Sequence, residues 1–121
     1  MDVRREAVRS ALALAALLAV AGCATPPPMM YAWCGYEDSL YRMYLETGDF
    51  DAAAEAQRLA AEIERAHLEG RTVAPGVHAH LAMLCARAGD DVGAEANLLA
   101  EKEEFPESEV FVDGLLARLR Q

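Results

Sequence analysis

From Tyr36 to the C-terminus, apolar residues recur three and four apart, and no stretch alternates with period two for long enough to make a strand. Gly48, Gly70 and Gly89 interrupt that spacing, and a glycine can take the left-handed conformation at a helix end without a Cβ penalty. Asp49 or Asp51, Pro75, and Asp90 or Asp91 then stand where the next helix would begin. The chain is therefore expected to be all-α, built of short helices joined by tight turns.

The apolar faces follow from the same spacing. Tyr36, Leu40, Met43 and Tyr44 share a face of the first helix, and Ala53, Ala56, Ala60 and Ile63, with Leu59 or Ala66, share one of the second. Val77, Leu81, Leu84, Cys85 and Ala88 line the third, while Ala94, Leu98 and Phe105 mark the fourth up to Pro106. Ser108 is placed to cap a last helix with Phe111, Leu115 and Leu119 behind it.

The four longer segments pair into two hairpins that match at an offset of 41. Leu40, Tyr41, Tyr44, Gly48 and Ala53 correspond to Leu81, Ala82, Cys85, Gly89 and Ala94, but Ala60 corresponds to the charged Glu101. Within the second hairpin, Leu81, Ala82, Gly89, Ala94, Leu98 and Pro106 resemble the spacing of a tetratricopeptide repeat. Two such units with a C-terminal capping helix are near the smallest stack in which each repeat has a neighbour to bury its face. The alternative is a four- or five-helix bundle in which Gly and Ala recur by chance.

The N-terminus is of another kind. Arg4, Arg5 and Arg9 precede an uncharged run from Ala11 to Ala21, too short for a spanning helix and of the length of an export signal. Val20-Ala21-Gly22-Cys23 resembles a bacterial lipobox, in which small residues admit the peptidase and the Cys thiol takes the lipid. Pro26, Pro27 and Pro28 cannot continue a helix and read as a stiff tether. The expected organisation is a signal peptide over 1–22, lipidated Cys23 with a tether over 23–35, and a helical-repeat domain over 36–121. Ala24 follows Cys23 where inner-membrane retention generally favours Asp, so the resemblance implies an outer-membrane anchor facing the periplasm.

With 121 residues, 20 acidic against 11 basic, and a net charge of −9, the chain is too short for separate cofactor and substrate domains and too acidic for a nucleic-acid binder. An acidic surface gains nothing from anionic lipid head groups, so the lipid on Cys23 would have to supply the membrane attachment. No other cofactor is expected.

Candidate chemistry is sparse. In an exported compartment Cys34 and Cys85 could pair, closing a loop of about 50 residues and adding roughly 3 to 4 kcal/mol; the alternative is a buried free thiol at Cys85. His67, His78 and His80 are not expected to form a metal site, because His78 and His80 are two apart and point to different sides of a helix. Glu101, Glu103, Glu104, Glu107 and Glu109 read as a solvated face, and no nucleophile, base or phosphate loop is placed for catalysis, so no catalytic residue and no small-molecule substrate are expected. Tyr31, Trp33, Tyr36 and Tyr41 are the candidate partner interface, with packing of the first hairpin as the alternative.

Three segments, Tyr31-Ala32-Trp33-Cys34-Gly35-Tyr36-Glu37, Val73-Ala74-Pro75-Gly76-Val77-His78-Ala79-His80-Leu81 and Glu101-Lys102-Glu103-Glu104-Phe105-Pro106-Glu107-Ser108, resemble a family of small bacterial lipoproteins catalogued as domain of unknown function 4810. That family has a Trp-Gly-x-Tyr opening, a Pro-Pro-Gly helix start and a Phe-Pro-Glu-Ser turn; here Cys34 is inserted between Trp33 and Gly35 or replaces a Gly in the first motif, and Ala74 stands where the second tends to have Pro. The resemblance implies helical-repeat lipoproteins encoded beside a curli-secretion-channel-like lipoprotein, and so a multi-lipoprotein envelope assembly. A non-catalytic scaffold or accessory subunit is the expected role. The alternatives are a structural or stress-related lipoprotein without a dedicated partner, and a periplasmic hydrolase or binding protein using the His and Glu residues.

Overall fold

In the computed structural model the described residues are 2–21, 28–45, 48 and 50–121. Among them are six α-helices and no strand: α1 (Asp2–Ala21), α2 (Tyr36–Leu45), α3 (Ala52–Leu68), α4 (Val77–Arg87), α5 (Asp91–Glu104) and α6 (Glu109–Leu119), the last preceded by a 3-10 turn at Pro106–Ser108. The protein is all-α. Cys23, Gly22, residues 24–27 of the expected tether and the candidate cap Asp49 lie outside the described residues. In α1, residues 2–16 are exposed, and no helix among the described residues is long and apolar enough to cross a membrane.

Local chemistry sets the helix starts. Asp51 accepts from the backbone N–H groups of Ala53 and Ala54 at 3.0 Å each, and Asp90 accepts from Gly93 at 2.9 Å. At α4 the start is a turn: Val77 donates to the Ala74 carbonyl at 3.2 Å across Pro75 and Gly76. Gly76 there has φ +90°, the value a type II turn demands of its third residue. Pro75 thus shapes the turn before α4 and is not its first helical residue.

Packing runs along the chain order, α3 on α4, α4 on α5 and α5 on α6, with α2 making a shorter contact on α3. Leu59 and Ile63 of α3 meet Val77, Leu81 and Leu84 of α4 in the main core, which also holds Val73. A smaller cluster of Ala82, Leu98, Val112 and Leu116 seats α6. Several expected faces are rotated. Ala53, Ala60 and Ala88 are exposed, while Glu55, His78 and His80 are buried. In α6 the buried residues are Val112 and Leu116, whereas Phe111 is exposed, because each step along a helix turns the side chain by about 100°. Ser108 precedes α6 without a side-chain capping bond, its hydroxyl reaching the Glu101 carbonyl at 3.5 Å.

The folded unit also begins before residue 36. Ala32 is buried and forms a parallel bridge with Val73, its N–H donating to the Thr72 carbonyl at 2.8 Å and its carbonyl accepting from Ala74 at 2.9 Å. Tyr31 and Cys34 pack on the main core. Residues 31–35, assigned to the tether from sequence, therefore belong to the domain.

Candidate functional site

The face of α2 that carries Tyr36, Leu40, Met43 and Tyr44 does not close over the core. It forms one wall of an open groove of about 380 Å³, with Ala79, His80 and Met83 of α4 as the floor and Phe111 and Leu115 of α6 as the far wall. A second hollow of about 280 Å³ shares Ala79, Met83 and Leu115 and runs on between α4 and α6 past Ala86 to Arg118. Tyr44 and Phe111 are largely exposed on the rims, and Met83 shows a third of its surface or more. An apolar channel with unbranched methionines in it can adapt to the shape of a ligand chain.

Beneath α2 lies a polar network. Ser39, the one described buried residue of α2, has Oγ 2.8 Å from His80 Nε2, and the Tyr36 ring meets the His80 ring edge-on at 5.0 Å. Glu55 Oε1 accepts from Arg42 at 2.9 Å and from Arg58 at 2.6 Å. Burial would raise the Glu55 pKa, but hydrogen bonds from Arg58, Arg42 and Ser39 outweigh it and hold the carboxyl at about 2. Burial lowers the pKa of His80, with the Glu55 charge opposing and the Arg58 charge assisting. A neutral imidazole at the groove floor and an ionised carboxylate behind it are the result.

The four aromatic residues proposed from sequence separate into two pairs. Tyr31 packs edge-on against Phe105 at 6.3 Å, and Tyr36 is engaged with His80, so both serve the fold. Trp33 is 41% exposed, tilted against Tyr36, and Tyr41 is 66% exposed, so these two remain free to meet a partner. Met43, Met83, Phe111 and Leu115 were missed as a surface, since their apolar character reads as core until the three helices are placed.

Of the two readings open for Cys34 and Cys85, a cross-link or a buried free thiol at Cys85, the structure has the second: both are free thiols. Cys34 Sγ is turned to the Ala32 carbonyl at 3.6 Å, and Cys85 is buried in the main core. Glu101, the misfit in the 41-residue correspondence expected from sequence, is buried and serves α4: its Oε1 accepts from the Gly76 N–H at 2.7 Å and its Oε2 from Ala79 at 3.3 Å. It supplies across the hairpin the cap that Gly76 lacks. His78 and His80 point apart as expected, but His78 is brought to His67 and Glu104, a grouping that local spacing could not show.

No curated protein and no solved structure gives a significant match to this chain. The family model described as Domain of unknown function (DUF4810) matches residues 30–115, which begin beside the Ala32 bridge and end within α6. The chain belongs to that family.

Proposed function

We propose that the protein is a lipid-anchored lipoprotein of the cell envelope, a non-catalytic scaffold or accessory subunit whose groove between α2, α4 and α6 holds a segment of a second envelope lipoprotein. The groove carries this reading: Met43, Tyr44, Met83 and Phe111 offer apolar surface along one channel, where a monomer with no partner would be expected to bury it. The occupant is a helix or extended segment with apolar anchors, flanked by basic residues that complement a chain of net charge −9. A tetratricopeptide-like stack suits this role, since the first helices of its hairpins line one face. Anchoring rests on the lipobox-like Val20-Ala21-Gly22-Cys23, with the outer membrane as destination and a curli-secretion-channel-like lipoprotein as the class of partner.

The test is affinity purification of the tagged protein from detergent-solubilised membranes, beside Cys23→Ala and Phe111→Asp. Stoichiometric lipoproteins that disappear in both variants are expected. A wild type that leaves the membrane alone, or partners retained by Phe111→Asp, overturns the groove reading and favours a structural lipoprotein.

A further inference from the structure

Three helices converge at a second place, which shares no residue with the groove. His67, near the C-terminal end of α3, His78, in the first turn of α4, and Glu104, the last residue of α5, present ligand atoms that all lie within 4.8 Å of one another. His67 Nε2 and His78 Nε2 stand 3.5 and 3.7 Å from the same oxygen, Glu104 Oε1. Two ligand atoms bonded to one tetrahedral ion at about 2.1 Å are separated by about 3.4 Å. The two measured edges are therefore close to those of a coordination polyhedron and longer than a hydrogen bond.

His78 supplies an independent indication. It is buried, and its Nε2 has no hydrogen-bond partner although it is aimed at this cluster. Its other nitrogen is committed: Nδ1 lies 3.1 Å from Asn97 Oδ1. The orientation of the Asn97 amide is set in turn, because its Nδ2 donates to the Gly93 carbonyl at 2.9 Å. With an acceptor fixed opposite it, Nδ1 of the neutral ring carries the proton, and the Nε2 lone pair faces Glu104. A ligating histidine held through its second nitrogen in this way has its tautomer and ring plane preset. The His67 ring lies nearly parallel, with centroids 6.1 Å apart and planes at 28°.

We propose that His67, His78 and Glu104 bind one divalent transition-metal ion of the zinc type, with Asn97 as the positioning residue. Two imidazoles and one carboxylate suit zinc better than magnesium or calcium, which take oxygen ligands, and they leave a fourth position for water or for a partner's side chain. Because the ligands come from α3, α4 and α5, the ion ties the two hairpins together at one end, and binding to the folded form alone raises the melting temperature.

The full chain, reduced and stripped with a chelator, is titrated with Zn²⁺ against a chromophoric competitor and melted with and without the ion. One equivalent per chain and a Zn²⁺-dependent rise in melting temperature are expected. His67→Ala and Glu104→Gln change exposed side chains, so each should leave the metal-free melting temperature in place while weakening Zn²⁺ binding at least about ten-fold. Asn97→Ala should weaken it within about 10- to 100-fold, and Glu103→Gln should not change it. Co²⁺ should give visible ligand-field bands without a thiolate charge-transfer band, since the cluster contains no cysteine. Binding that is unaltered in His67→Ala and Glu104→Gln, a thiolate band, or melting indifferent to Zn²⁺ overturns the proposal.

Discussion

Ser39 Oγ and His80 Nε2 are 2.8 Å apart and 41 residues apart, the same offset that relates the two hairpins. Residues in corresponding positions of successive hairpins thus touch directly. The contact is polar and buried, and with the Arg42–Glu55 pair it fastens α2, whose apolar side chains are largely turned to the groove.

Removing the Ser39 hydroxyl takes the partner from a buried ring nitrogen. Ser39→Ala should lower the unfolding free energy by about 1–3 kcal/mol, measured by urea denaturation. Unchanged stability would mean that α2 is held mainly by other contacts.

Acidification should act in two windows. The folded state lowers the pKa of His80, so the unfolded chain takes up a proton first as the pH falls. Stability from this group is complete above the ordinary imidazole value of 6.5 and declines below it. Glu55, held at about 2 against an ordinary 4.5, protects the fold down to about pH 4.5 and loses that protection as the pH falls toward 2. Urea midpoints across this range should show both declines, and His80→Gln should remove the upper one.

Glu101→Ala deletes the carboxylate that caps α4 from α5. A loss of about 1–3 kcal/mol is expected, with faster amide exchange at Gly76 and Ala79. Exchange spread evenly over all helices would show instead that Glu101 acts through general packing.

Groove and core should respond oppositely. Tyr44→Ser and Phe111→Ser change exposed side chains and should move stability by no more than about 0.5 kcal/mol. Leu84→Ala, at a fully buried site, should cost about 2–5 kcal/mol. Thermal melts of the three variants decide this.

Alkylation under denaturing, non-reducing conditions should modify both Cys34 and Cys85, and mass spectrometry would detect neither if they were bridged. In the native protein the reaction should be slow. Burial raises both thiol pKa values, the charge of Glu62 adding to it at Cys34 and that of Asp90 at Cys85.

Helix starts were legible because their signals are local: Asp51 and Asp90 each cap amides within three residues. Leu59, Leu84 and Leu98 were legible because helical spacing aligns them. Phe111 and Val112 were not separable, since neighbouring apolar residues on a helix differ only in which neighbour lies opposite. Ser39, Glu55 and Glu101 look like solvent-facing residues, and their burial depends on donors or acceptors from other helices. The grouping of His67, His78 and Glu104 draws on three helices, so no interval along the chain announces it.

The Ala32–Val73 bridge has a mechanical consequence. A pull applied to the chain from its N-terminal side meets the Tyr31–Phe105 contact and then Ala32, where two hydrogen bonds pass the load to Thr72 and Ala74, in the connector that leads into α4. The stretch between, with α2 and α3, is a closed bight that stays slack while those bonds hold. Tension from the N-terminal side would therefore leave the α2 wall of the groove unstrained until the clasp gives way.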